Sequence, residues 1–283
     1  MKSWKIGGIA GLIAGIVAGI VAYIFTIISP MIVLFLGLQP ESLGNIDLYI
    51  MINSIWGVIL GIIYARFYRL IPGKNILKGL MFGLIIFLIT NIRDGTFWWS
   101  YGTRPFTIAW IFVGFFQIIA YGLMLSFLYE SLHEEYSIPK EKLKIKEYGL
   151  RGGFLPGAIA GLLGGILASI FQIIMNVWIW KLGTIGLQID FLIGQVGTHL
   201  FLNMFWGAVF GAIFGKFYNL VPGKLVMKGL YFSMIILLIT SIRTAAYFSG
   251  WDLFQYAISW AVVGFFNAIV FGLVLGYLYK PKK

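Results

Sequence analysis

Two arginines close matching apolar runs, LITNIR at residues 88–93 and LITSIR at residues 238–243. Each follows a threonine by three positions, Thr90 before Arg93 and Thr240 before Arg243, a spacing that puts a hydroxyl and a fork of guanidinium N–H donors on one helical face. Three fates are open to such an arginine. Its flexible stem can carry the charge outward to lipid phosphate, it can pair with a carboxylate or with carbonyls as structural glue, or it can bind an anion. The neighbouring acids do not recur at the 150-residue offset: Thr244 corresponds to Asp94, Gly102 to Asp252, Gly197 to Asp47 and Pro40 to Asp190. A structural acid–arginine pair kept in both places would keep its acid, so lipid or backbone contact and a functional anion site stand as the competing readings.

Other polar residues recur inside apolar runs. Asn53 and Asn203 are each followed three residues later by a tryptophan, Trp56 and Trp206, and Gln117 corresponds to Asn267. The plainer reading is interhelical hydrogen bonding, worth about 0.6 kcal/mol apiece; the functional one makes these amides and the threonine–arginine pairs line one cavity. Pro72-Gly73 and Pro222-Gly223 suit a type II turn with glycine at positive φ. Lys74, Lys78, Lys224 and Lys228 then fall at the next helix start, where lipid headgroup phosphate is the natural ligand and a dedicated headgroup or substrate site the alternative.

Catalytic signatures are missing. The sequence contains no HExxH, no GxSxG and no cysteine, and its few acids form no metal-ligand spacing, so no enzyme, metal or cofactor is expected. Asp190 and His199, nine apart, could meet near one membrane face, where histidine titrates near neutrality; a satisfied interfacial histidine is the plainer reading.

The elements that must hold these residues follow from composition. Hydrophobic residues make up 60% of the 283 positions and charged residues 11%, against roughly a quarter charged in a soluble domain. Eight apolar runs reach the roughly 20 residues a membrane-crossing helix needs: 6–29, 48–66, 77–99, 106–129, 154–178, 196–217, 227–248 and 255–279. A β-barrel would alternate apolar and polar residues, and GLIAGIVAGIVAYIFTII does not. The first run is too long for a signal peptide. The fold class is therefore all-α polytopic membrane protein with eight transmembrane helices. Arg93 lies 15 residues beyond Lys78, about 22 Å along a helix and so still inside a core about 30 Å thick.

Sliding the chain by 150 residues aligns 7–129 with 157–279 without a gap, and about 45 of the 123 pairs are identical. NSIWG corresponds to NMFWG, FYRLIPGKNILKGL to FYNLVPGKLVMKGL and VGFFQ to VGFFN. The expected organisation is a first four-helix repeat at 1–129, a charged cytoplasmic linker at 130–152 and a second repeat at 153–283. Four spans per repeat require both to enter the membrane the same way, as parallel repeats related by a pseudo-twofold axis along the membrane normal. The halves disagree at 25–52 against 175–202; the second copy adds Gln172 just before that stretch and Asn176, Lys181, Asp190, Gln195 and His199 within it.

Of the 21 basic residues, 17 fall on the side of the termini, linker and Pro-Gly-Lys turns and 4 on the other. Both termini are therefore expected in the cytoplasm of a cell-membrane protein, and the net charge of +11 implies anionic membrane lipids as partners rather than nucleic acid. Glycines spaced by four (Gly11, Gly15, Gly19; Gly153, Gly157, Gly161, Gly165) and the pairs Gly57, Gly61 and Gly207, Gly211 predict close helix packing. The expected function is transport or permeation of a small anionic, zwitterionic or lipid-like solute bound at the interface of the two repeats. The alternative is a noncatalytic membrane scaffold or accessory subunit packing through its glycine-rich faces, in a homo- or hetero-oligomer.

Overall fold

The computed structural model describes residues 3–36, 46–100, 102–134, 151–179, 181, 185–250 and 253–280. Every regular element among them is helical, and eight helices are long and apolar enough to cross a membrane. They are α1 (Ser3–Phe35), α2 (Ile46–Phe67), α3 (Ile76–Ser100), α4 (Arg104–Glu134), α5 (Arg151–Ile173), α6 (Ile185–Phe217), α7 (Val226–Gly250) and α8 (Phe254–Leu278). The chain divides into two compact units, Met1–Lys142 and Leu143–Lys283.

Several helices outrun the apolar runs that predict them. Helix α1 continues past residue 29 through Pro30. Proline removes a backbone donor, and the Ser29 hydroxyl donates to the Thr26 carbonyl at 2.9 Å, supplying that acceptor from a side chain. Helix α4 takes in residues 130–134 and α5 begins at Arg151, so both ends of the expected 130–152 linker are helical; 135–150 lie outside the described residues. Helix α6 starts eleven residues before the expected 196.

Within the first unit α1 packs on α2 and α4, and α3 packs on α4. The α1–α2 contact is backbone against backbone. A Cβ added to Gly11 would stand 2.1 Å from the Gly57 carbonyl oxygen, and one added to Gly61 would stand 2.0 Å from that of Gly7. Gly79 meets Gly122 in the same way across α3–α4. In lipid, where apolar side chains gain nothing by leaving solvent, such close approach is what van der Waals association requires. The second unit repeats the plan with α5 on α6 and α8, and α7 on α8. Its glycine contacts are Gly157 with Gly207, Gly153 with Gly211, and Gly229 with Gly272.

The Pro-Gly-Lys turns behave as their sequence requires: Gly73 has φ +100° and Gly223 φ +93°. The next residue but one is strained in both turns, Asn75 at φ 48° and Leu225 at φ 38°, conformations that cost a side-chain-bearing residue about 1–3 kcal/mol. Aromatic rings lock the helix ends beside each turn. Tyr64 stands 5.2–5.5 Å from Tyr68, Phe82 and Tyr129, as Phe214 stands 5.2–5.4 Å from Tyr218, Phe232 and Tyr279.

Candidate functional site

Both arginine-bearing helices are interrupted at the same place. In α3 the segment Leu88–Ile92 is a π-turn, and in α7 the segment Leu238–Ile242 is one. The Arg93 amide accordingly reaches back five residues to the Leu88 carbonyl. A π-turn accommodates an extra residue in the helix and weakens its backbone ladder, and such turns gather at functional sites. The threonine of each motif answers that weakening. Thr90 Oγ1 donates to the Ile86 carbonyl at 2.7 Å, and Thr240 Oγ1 to the Ile236 carbonyl at 2.6 Å. The two hydroxyls are thus engaged by their own helices.

The residue after each threonine faces the neighbouring helix, where a glycine makes room for it. Asn91 lies against Gly114 and donates to the Trp110 carbonyl at 3.4 Å; Ser241 lies against Gly264. Each arginine then folds over an aromatic ring four residues on. The Arg93 guanidinium carbon is 5.3 Å from the Phe97 ring centre, and that of Arg243 is 5.2 Å from the Tyr247 ring centre. Cation–π contact of this kind is worth more when desolvated, about 2 kcal/mol.

Neither arginine is exposed: the Arg93 side chain is 12% accessible and Arg243 is 3%. Here the structure corrects the sequence reading at one point. Arg93 does pair with a carboxylate, that of Asp94, at 2.8 Å, and Asp94 is wholly buried. Adjacent side chains do not face one another on a regular helix. The long arginine stem reaches its neighbour at the start of the regular helix that follows the π-turn, and Thr244 offers only a hydroxyl at the corresponding place. Arg93 Nε meets no hydrogen-bond acceptor among the described residues.

The recurrent amides sit elsewhere on the helices. Asn53 Nδ2 donates to the Tyr49 carbonyl at 2.7 Å, while its Oδ1 accepts a short hydrogen bond from Gln117 Nε2. Asn203 Nδ2 donates to the His199 carbonyl at 2.9 Å. Asn267 Oδ1 lies against Gly164 rather than repeating the Gln117 bond. Trp56 and Trp206 are buried in their own units. The Asn53–Gln117 bond thus links two helices of the first unit, whereas the Asn203 bond stays within α6.

At the turns, the paired lysines divide. Lys74 and Lys224 are exposed. Lys78 Nζ instead donates to the Tyr68 carbonyl at 2.6 Å and sits 4.1 Å from the Tyr68 ring centre. Lys228 Nζ donates to the Tyr218 and Val221 carbonyls at 2.7 and 2.6 Å. Both close the carbonyl end of the preceding helix, a favourable place for a cation. The side chains of Asp190 and Gln195, and Asp252 altogether, lie outside the described residues.

Sequence reasoning missed the π-turns, the Arg93–Asp94 pair and a set of hydroxyl and carboxylate bonds joining α2 to α4. Tyr121 donates to the Gly57 carbonyl at 2.9 Å, Tyr64 to Ser126 Oγ at 3.3 Å and Tyr68 to Glu130 Oε1 at 3.1 Å. Burial, and then the Glu130 carboxylate, push the Tyr68 phenol's pKa up. The only advance signal was spacing, since these partners all stand 62–64 residues apart. No protein-family model matches the chain, and no curated protein or solved structure matches it either.

Proposed function

We propose that this chain is an integral membrane transport or permeation protein for a small anionic, zwitterionic or lipid-like solute, and that the arginine of each π-turn is its recognition group. The observation that carries the reading is a guanidinium held among apolar residues at the same π-turn in both units, 12% accessible at Arg93 and 3% at Arg243. A charge placed within a membrane span costs at least about 2.5 kcal/mol at full depth, and such residues mark solute paths by default. The two centres suit different ends of a solute. Arg93 with Asp94 presents both signs, which a zwitterion matches; Arg243 has Thr244 where the first unit has the acid, a setting that a carboxylate or phosphate matches.

The same proposal takes the chain as a tandem duplication of a four-span unit, both copies inserted in one orientation, with the termini and Pro-Gly-Lys turns on the cytoplasmic side of a cell membrane. Because the sequence has no cysteine, single cysteines at Lys74 and Lys224 can be labelled from either side of sealed vesicles; labelling from opposite sides contradicts the parallel arrangement. The scaffold alternative keeps one difficulty. The four-spaced glycines Gly11, Gly15, Gly19, Gly57, Gly61, Gly153, Gly157, Gly161, Gly165, Gly207 and Gly211 are packed inside their own units, so a scaffold would dock through isoleucine and leucine faces instead.

Arg93→Lys and Arg243→Lys, singly and together, test the recognition role, since lysine keeps the charge and loses the planar fork. Thermal unfolding in detergent is followed with inorganic phosphate, glutamate, glycine betaine and short-chain phosphatidylglycerol. The reading expects one of these to stabilise the wild type by several degrees and the double variant not at all. A protein stabilised equally with and without the arginines contradicts it.

A further inference from the structure

The bonds joining α2 to α4 form a column. Their members on the α2 side are residues 53, 57 and 64 and, one residue past its end, 68, and their α4 members 117, 121, 126 and 130. Steps of four and seven keep the α2 set on one helical face, whereas the step of five between Tyr121 and Ser126 splits the α4 set into two pairs, each pair spaced by four. The partners rise in number together, so the two helices run in the same direction, and the column reaches from mid-span to the Pro-Gly-Lys turn. Ser126 extends it into that turn by donating to the Asn75 carbonyl at 2.9 Å. These are long-reach side-chain bonds between helices whose backbones meet α1 much more closely than each other.

The second unit lacks the chemistry for most of that column. Phe271 stands where Tyr121 does, Phe214 where Tyr64 does, Gly276 where Ser126 does and Lys280 where Glu130 does. None can supply the corresponding donor or acceptor, and Asn267 is a methylene shorter than Gln117. What α8 offers α6 instead is Tyr279 donating to the Gly215 carbonyl at 3.5 Å, at the outer limit of a hydrogen bond. The second unit also carries a π-turn in its first helix, Ile174–Ile179, where the corresponding stretch of α1 is regular helix.

We propose that the polar column latches α2 to α4 and makes the first unit the rigid half, whereas the α6–α8 seam, with Phe214, Phe271 and Gly276 in place of Tyr64, Tyr121 and Ser126, is the one that opens and closes. Apolar surfaces in lipid lose little when lipid replaces them, whereas a parted hydroxyl–carbonyl pair is left unsatisfied. The asymmetry is a property of the two seams and stands whether or not the arginines bind a solute.

Paired spin labels test it. Arg66→Cys with Phe127→Cys spans the first seam, and Lys216→Cys with Tyr277→Cys spans the second at corresponding positions; three of these four side chains are well exposed and Lys216 is partly so. Distance distributions in nanodiscs by double electron–electron resonance should be at least twice as broad for the second pair. Exchanging the residues supplies the converse. Tyr64→Phe, Tyr121→Phe and Glu130→Lys together should broaden the first distribution toward the second, and Phe271→Tyr with Lys280→Glu should narrow the second. Equal widths in the wild type, or a second seam that keeps its width in the folded Phe271→Tyr, Lys280→Glu protein, would overturn the proposal.

Discussion

The two units share one frame and differ in what fills it. The Gly79–Gly122 contact, a π-turn before the arginine, a ring under each guanidinium and a lysine over the end of the preceding helix all recur at a 150-residue offset, while the glycine contacts between the first two helices recur displaced by one helical turn, Gly11 on Gly57 against Gly157 on Gly207. The first unit then adds Asp94 beside its arginine, and Tyr64, Tyr121, Ser126 and Glu130 between α2 and α4; the second has Thr244, Phe214, Phe271, Gly276 and Lys280. What is common sets the backbone paths, through contacts too close for any other residue. What differs sets how tightly each unit is held and what charge its π-turn presents.

Breaking the common frame should have the largest effect, and the same one in both units. Gly11→Leu and Gly157→Leu place a side chain where only 2.1–2.2 Å separates Cβ from a carbonyl oxygen. Each should lower stability by about 3 kcal/mol in reversible unfolding in mixed micelles, whereas Gly197→Ala, with nothing within 4 Å, should stay within about 0.5 kcal/mol. A large gap between Gly11→Leu and Gly157→Leu would mean that the frame is not shared.

The arginine centres should separate the units next. Asp94→Ala strands a mostly buried guanidinium and should cost about 3 kcal/mol, less whatever rearrangement recovers. Thr244→Ala removes one hydroxyl and should cost about 1 kcal/mol. Thr244→Asp, which copies the first centre into the second, should weaken any anion-dependent stabilisation of the protein; an undiminished shift would show that the second centre is not where the anion sits.

Smaller effects belong to the α2–α4 column. Tyr121→Phe removes one bond and should cost about 0.6 kcal/mol, up to about 1.7, and Phe271→Tyr should cost nothing if its hydroxyl finds the Gly207 carbonyl. The pH dependence is smaller still. Burial and the Glu130 carboxylate raise the Tyr68 pKa in the folded protein, so its contribution is fully present below the ordinary tyrosine pKa of about 10 and is lost as pH rises beyond it. Tyr68→Phe should flatten the alkaline limb of stability above about pH 10. An unchanged limb would remove Tyr68 from the column's account.

The parts of this structure legible in advance are those governed by local spacing. Glycines four apart meet a second glycine row because small residues on one face let backbones touch, and Pro-Gly followed by lysine gives a turn with positive φ because no other residue takes it without strain. Helix existence followed from apolar length alone. The helix ends did not, since α1 continues through Pro30 by means of the Ser29 hydroxyl. The site was half legible. Arg93 and Arg243 stood out as charges inside apolar runs, but a π-turn has no residue signature of its own, and the Arg93–Asp94 pair joins sequence neighbours, a spacing that side-chain pairing rules for helices pass over. The column was hidden for another reason: in a helix apolar on every side, periodicity no longer tells the inner face from the lipid face. Only a tyrosine or glutamate at matching places on two helices could have hinted at it.

The central claim is that the buried arginines serve passage of a solute. The direct measurement is uptake into proteoliposomes of labelled phosphate, glutamate and glycine betaine by the wild type, by the Arg93→Lys, Arg243→Lys double variant and by protein-free vesicles. The account predicts that one of these solutes enters wild-type vesicles at least tenfold faster than protein-free ones, and that the folded double variant loses most of that excess. Wild-type protein that admits all three no faster than bare lipid, or a double variant that transports as well as the wild type, would contradict it.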